Sequence, residues 1–276
     1  MIRVQKKKIR INLDKIKDIK LSIQFSLDGF SFCVSDVSLQ NDVYFKEYIF
    51  ERSLKTPEEL LKKIETIFKT DANLQLEFSS VEVIHSNYLN TFVPNKYFNE
   101  DVLESYLNFN IKTLNTDFLT FDDLTNIDAK NVYIPYVNIN NYLFQNFGEF
   151  TYKHHLTVLL EKLLTKNISQ EKTMFVNVSK KYMDILVLEN KKLVLSNSFS
   201  YQTKEDFIYY ILFVAEQLEL SAEDFNVYFM GDITKESKFY EITYKYIRNV
   251  HFLESNNEIF NDLEIPKHSN YILLGL

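Results

Sequence analysis

The chain has 276 residues, 46% hydrophobic and 25% charged, with 24 Phe, 18 Tyr and no Trp. That much bulky apolar side chain builds a substantial core and excludes a mainly disordered chain. Four Gly, four Pro and one Cys argue against collagen-like repeats, Pro-rich linkers and glycine-rich phosphate loops, and exclude a disulfide framework or a cysteine metal cluster.

The net charge of −7 is uneven. Residues 1–20 carry eight basic side chains and two acidic ones, a balance of +6, which leaves −13 on the rest. An acidic body repels nucleic acid and anionic lipid, whereas a basic arm attracts both. The arm lacks the interleaved aromatics on which single strands stack. Ile9, Ile11 and Leu13 alternate in it, so the plainer expectation is an arm or edge strand lying on the acidic body. Charges separate Leu13, Ile16 and Ile19, so no signal peptide is expected. No run approaches the roughly 18–20 apolar residues that cross a bilayer. With a single cysteine, the expected compartment is the cytoplasm.

Leu21, Ile23, Phe25 and Leu27 alternate with polar residues and predict a strand. Asp28-Gly29 predicts a hairpin turn into Phe30, Phe32 and Val34, and Val43 to Phe50 is a third strand. Thr56, Pro57 and Glu59 form a helix start with a capping box. Leu60, Leu61, Ile64, Ile67 and Phe68 supply its apolar stripe. Val81 to His85 is a short strand.

Asn99 to Leu107, Ile139 to Phe147 and Leu156 to Leu164 read as helices, and Val132 to Val137 as a strand made edge-like or bulged by Pro135. The opening order then returns. Met174 to Val178, Met183 to Val187 and Leu193 to Phe199 are strands, followed by a capping box at Thr203 and Asp206. The helical stripe runs from Phe207 to Leu218, and the strand Val227 to Met230 ends at Gly231. Phe239 to Ile247 reads as a helix and Val250 to Leu253 as a strand. The two helix caps and stripes align at an offset of about 147 and the first strands at about 153, which predicts an internal duplication.

Three strands, a capped helix and a further strand, duplicated around a cleft, resemble the actin-like ATPase superfamily, which includes PilM and FtsA. Thr91-Phe92-Val93-Pro94, Tyr97-Phe98, Tyr106-Leu107, Val132 to Pro135 and the final Leu274-Gly275-Leu276 look PilM-like. The chain is similar to an uncharacterised domain-of-unknown-function family of Bacteroidota within that superfamily. The resemblance implies a duplicated actin-like (ribonuclease H-like) α/β fold, with two mixed sheets and flanking helices around a central cleft. The expected organisation is a basic arm over 1–20, a first half with an insertion over 21–150, a linking helix over 151–172 and a second half over 173–276.

The resemblance also implies a nucleotide between the halves, with an Asp-x-Gly at the end of the first strand of each. Here Gln24 and Asn177 take the Asp places, and Ser26 and Ser179 the Gly places. Gly231-Asp232 half retains the Gly-Gly of the adenosine motif. These six residues mark a vestigial nucleotide cleft. A neutral amide supplies no charge to Mg²⁺, a hard cation that prefers carboxylate oxygens, so no ATP hydrolysis is expected. The same alignment shifted would bring Asp28 and Asp184 into play.

Other candidates have plainer readings. His154-His155 do not have the i, i+4 spacing of a chelating pair, Cys33 reads as a small core residue, and Asp122-Asp123 reads as a solvated loop. No catalytic residue, metal ligand or cofactor is assigned. The leading expectation is a non-catalytic actin-like scaffold or adaptor with a protein partner, a peptide or a membrane-linked component. A nucleotide-binding protein with little or no hydrolysis is the alternative, and a nucleic-acid protein using residues 1–20 the third.

Overall fold

A computed structural model describes residues 2–5, 13, 16–166 and 170–275. Four strands open the chain: β1 (Ile2–Gln5), β2 (Ile19–Ser26), β3 (Gly29–Asp36) and β4 (Asn41–Phe50). In β2 the period of two buries Ile19, Leu21, Ile23 and Phe25 and half-buries the polar alternates. Helix α1 (Pro57–Thr70) starts where Thr56 accepts the Glu59 N–H at 3.3 Å. The Glu59 carboxylate reaches past the cap to the Lys55 N–H at 3.1 Å, one residue beyond the expected box. Leu60, Ile64, Ile67 and Phe68 are buried as the stripe requires.

Next come β5 (Ser80–His85), β6 (Asn90–Pro94), α2 (Leu103–Leu107), β7 (Thr120–Asp123), β8 (Ala129–Tyr133), α3 (Val137–Phe147), β9 (Thr151–His154) and α4 (His155–Thr165). The helix expected from Asn99 is shorter, with a 3-10 turn over Glu100–Val102 ahead of α2. The strand expected over Val132 to Val137 starts earlier and stops at Tyr133. Pro135 has no N–H to give a ladder, and the Tyr136 N–H donates to His85 Nδ1 at 3.1 Å. β8 is also the centre of a three-stranded sheet, β6-β8-β7, and not an edge.

The second half follows as β10 (Thr173–Val178), β11 (Tyr182–Glu189), β12 (Lys192–Ser200), α5 (Lys204–Gln217), β13 (Asn226–Gly231), α6 (Lys238–Tyr246), β14 (Asn249–Phe252) and α7 (Tyr271–Leu274). Here the capping box is complete: Thr203 and Asp206 bond each other's backbone N–H groups.

The first sheet runs β1-β4-β3-β2-β5-β9 and the second β12-β11-β10-β13-β14. Apart from the added β1, the order is the same. In both, the first two neighbouring pairs are antiparallel and the crossovers parallel. Register repeats too. Gln24 faces Ser31 and Asn177 faces Asp184, both at an offset of 153. β9 belongs to the first sheet, which therefore continues past residue 150 before α4 begins.

Helices α1 and α3 cover the outer face of the first sheet, and α5 and α6 that of the second. Helices α4 and α7 lie between the sheets, where Leu156, Leu159, Leu160 and Leu163 meet Cys33, Phe45 and Ile84 on one side and Phe175, Leu186 and Leu188 on the other. Each fully buried leucine contributes about 2 kcal/mol of transfer free energy. This central layer ties the two sheets together, and the start of α7 reaches the cleft. Ile9 and Ile11 lie outside the described residues. Leu13 is buried in the first core, and the edge strand of the arm is β1, paired with β4.

Candidate functional site: the cleft between the sheets

The ends of β2, β3, β10 and β13 meet in a cleft of about 130 Å³. All six sequence-derived residues line it: Gln24, Ser26, Asn177, Ser179, Gly231 and Asp232. Asp28, Glu47 and Lys180 join them, and Asn270, Tyr271 and Ile272 at the start of α7 close one side. Ligand pockets usually measure roughly 300–1,000 Å³, so this cleft is small for a nucleotide.

Asn177 is held in a buried network. Its amide Nδ2 donates to Asp184 Oδ2 at 2.9 Å. The same carboxylate pairs with His155 Nε2 at 2.9 Å and accepts the Ser198 hydroxyl at 2.6 Å. Asp184 and His155 are both fully buried. His155 is the first residue of α4, so the network also pins the central layer to the second sheet. A carboxylate at position 177 would stand hydrogen-bond close to another buried carboxylate. The amide is therefore required by Asp184. Asp184 points into this network, not into the cleft, whereas Asp28 does line the cleft and accepts the Ser53 hydroxyl.

Gln24 lies at the matching register opposite Ser31, and its Oε1 is buried without a partner. The carboxylate of the first sheet stands one strand further out: Ser31 faces Glu47 on β4. Burial pushes Glu47 up to about 7, the Asp232 carboxylate adds to this, and a hydrogen bond with Asn270 opposes it. Asp232 is solvent-exposed at the cleft rim. Its carboxyl is raised by desolvation from the surrounding walls, then by Asp28, and opposed by Lys180. Lys180 Nζ donates to the Phe50 carbonyl at 2.8 Å, a link between halves.

Gly231 has φ +85°, and a Cβ there would lie 2.3 Å from the Val178 carbonyl oxygen. Only glycine fits this approach. Its N–H donates to His268 O and that of Asp232 to Val178 O, at 2.9 and 2.8 Å. The Ser179 N–H donates to Tyr182 O at 2.9 Å, and the Asp28 N–H to Ser26 Oγ at 3.1 Å. These four backbone donors at the cleft are all committed within the chain. A phosphate cradle needs such donors free.

Glu47, Lys180 and the α7 residues were not singled out by the sequence, whereas Asp28 was, as the carboxylate that a shifted alignment brings into play. Glu47 carried a signal. It falls on the same face of its strand as the buried Phe45, an unusual place for a carboxylate.

The other candidates are structural. Cys33 is buried, and burial pushes its thiol well above the usual range. Asp122 is not in a solvated loop. It is buried on β7, where it accepts the Thr157 hydroxyl at 2.6 Å, the His154 N–H at 2.8 Å and the Tyr133 hydroxyl at 3.0 Å. Asp123 is exposed and pairs with Lys130. His154 caps α4 by accepting the Leu156 N–H at 3.3 Å. Among the described residues no cluster of three His, Cys, Asp or Glu is arranged to hold a metal. No helix among them is long and apolar enough to cross a membrane.

Solved structures share this architecture. A Bacteroides thetaiotaomicron protein with an actin-like ATPase fold and unknown function superposes with a TM-score of 0.82 at 23% identity, over 95% of this chain and 96% of that one. The PilM–PilN type IV pilus biogenesis complex matches at 0.60 and 11% identity, over 92% and 96%. The ethanolamine utilization protein EutJ from Carboxydothermus hydrogenoformans matches at 0.50 and 10%, over 93% and 90%. No curated protein matches the sequence. The fold is therefore actin-like, and a family model covers residues 8–250. The chain belongs to the DUF3822 family, described as proteins of unknown function.

Proposed function

We propose that this chain is a non-catalytic actin-like scaffold or adaptor acting through a protein partner. The observation that carries the proposal is Asn177, whose amide is tied to the buried Asp184 at 2.9 Å, in the place where the superfamily resemblance expects a catalytic carboxylate. The spent backbone donors, the small volume and the three carboxylates of the cleft support the same reading. A site with Asp28, Glu47 and Asp232 against Lys180 disfavours a polyphosphate that carries no cation. Phosphate release from purified protein with Mg²⁺-ATP tests this, with background release expected.

For the partner, the described surface offers exposed apolar side chains on and beside the inserted three-stranded sheet. Phe109 is 88% exposed and Leu114 61%. PilM is seen in a complex with PilN, and by analogy of fold alone the partner here is a peptide or a membrane-linked component. The single, unpaired Cys33 favours a reducing, cytoplasmic setting.

A second reading rests on Gly231, which keeps the strand-end glycine and its close backbone approach: nucleotide binding without turnover. Binding to the folded state alone raises stability by about 2.7 kcal/mol at 100 times Kd. A rise in melting temperature with Mg²⁺-ATP would favour this reading, and an unchanged melting temperature at millimolar nucleotide would favour the adaptor.

A further inference from the structure

Away from the cleft, a pocket of about 580 Å³ lies beside α4, where residues of the first sheet, the Thr125–Asn126 loop and α7 meet. Its charged lining is Glu82, Lys153, Glu161 and Lys162. Three of the four are already matched. Glu82 pairs with Lys20 at 2.6 Å, and Glu161 with Lys153 at 2.8 Å. Lys162 has neither a hydrogen bond nor an ion pair among the described residues. The carboxylates that face it are Asp42 and Glu82. Asp42 accepts the Ser35 hydroxyl at 2.6 Å and the Asn257 amide at 2.5 Å, so it too is engaged. Cys33, buried and raised, and Lys20 are the other titratable groups that face this amine. Ile84, Val158, Ile272 and Leu273 give the pocket apolar walls.

An ammonium in such a place loses hydration. The carboxylates that face it, Asp42 and Glu82, favour its charge but are bonded to other groups. We propose that Lys162 is an acylation site, its amine taking the acyl group of a small acyl phosphate or comparable acyl donor that enters this pocket. The nitrogen lone pair attacks the acyl carbon, an N–C bond forms, and the C–O bond to phosphate breaks. Phosphate leaves with the electron pair, and the amine's proton passes to solvent. The product amide is neutral, which suits the desolvated site.

Burial pushes the amine down from 10.5 to about 8. At pH 7.5 about a quarter of it is then neutral, against about 0.1% of an ordinary lysine. Lower basicity lowers intrinsic nucleophilicity, so a net advantage of about tenfold is expected.

The test is to incubate the folded chain with acetyl phosphate, and separately with the uncharged donor N-hydroxysuccinimidyl acetate, from pH 6 to 10. Peptide mass spectrometry then follows acetylation at Lys162 against the exposed Lys62 and Lys235. With both donors Lys162 should be labelled about tenfold faster at pH 7.5, and its rate should level off above about pH 8. A preference seen with acetyl phosphate alone would assign the site to anionic donors. Lys162→Arg, which keeps a cation, should remove that label; if this variant does not fold, the pH profile of the native chain decides. Labelling at Lys162 no faster than at Lys62 and Lys235 with either donor, or a rate that keeps climbing to pH 10, would overturn the assignment.

Discussion

In the second sheet a carboxylate, Asp184, stands opposite Asn177 and is fully buried, with an amide, an imidazole and a hydroxyl as partners. In the first sheet the corresponding position is Ser31, and the carboxylate sits one strand outward at Glu47, open to the cleft and facing Asp232 across it. The strand ends differ in the same sense. Phe25 is in register with His85, and Val178 with Gly231. The first half fills that place with a fully buried imidazole bonded to Asn140 and to the Tyr136 N–H, and the second leaves it as backbone. One strand order thus supports a locked polar network in one half and an electrostatically uneasy cleft wall in the other. Symmetry of the fold does not carry over to its chemistry, because a one-strand displacement of a carboxylate decides whether it is satisfied.

Restoring a carboxylate at each equivalent position separates the halves most sharply. Asn177→Asp places two buried carboxylates together and should lower unfolding stability by about 3–5 kcal/mol. Gln24→Glu, opposite a serine, should lose about 1 kcal/mol or less. Equal losses in denaturant melts would remove the distinction.

Gly231→Ala comes next. Its Cβ would meet the Val178 carbonyl in a left-handed conformation, a loss of about 2–4 kcal/mol. A loss below 1 kcal/mol would mean that the strand end relaxes freely.

Glu47 gives a pH-dependent contrast. Its folded value, about 7, lies above the ordinary 4.5, so the folded state favours the protonated form. Its contribution is full below pH 4.5 and fades as pH rises to 7. Glu47→Gln should therefore gain about 2 kcal/mol at pH 8 and almost nothing at pH 4. His85 works in the opposite direction. Burial lowers it from 6.5 to about 3, so its contribution is present above pH 6.5 and is lost as pH falls towards 3. A Glu47→Gln variant with an unchanged stability–pH curve would show that this carboxylate is solvated.

The smallest effect concerns the strand that has no described counterpart in the second sheet. Deleting residues 1–5 removes the ladder from β1 to β4 and should lower stability by about 1 kcal/mol. Failure to fold would make β1 integral to the first core.

The elements with long alternation or strong caps were legible from residues alone: β2 to β4, α1, β10 to β12 and α5, with their shared order. The short strands β6, β7 and β9 were not, since four or five residues carry too little periodicity and their pairing is set by distant partners. Asp122 was misread for a related reason. Two adjacent aspartates look solvated until Tyr133, His154 and Thr157 are brought around one of them. Gln24, Ser26, Asn177 and Ser179 could be picked out because they occupy strand ends at one offset where the resemblance expects Asp and Gly, and Gly231-Asp232 because it expects a glycine pair there. Glu47 showed only as a carboxylate on the buried face of its strand and Lys180 not at all, because their place in the cleft depends on how the two sheets face each other.

The central claim is that the cleft does not turn over nucleotide, and the most direct measurement is phosphate release from purified protein with Mg²⁺-ATP. Release at the rate of a protein-free control is expected, because each amide that replaces a charged group removes roughly 10²–10³ in rate and both aligned positions are amides. Turnover above that control, lost in Asp28→Asn and in Glu47→Gln but retained in the exposed Asp123→Asn, would contradict it and place a working carboxylate at the cleft.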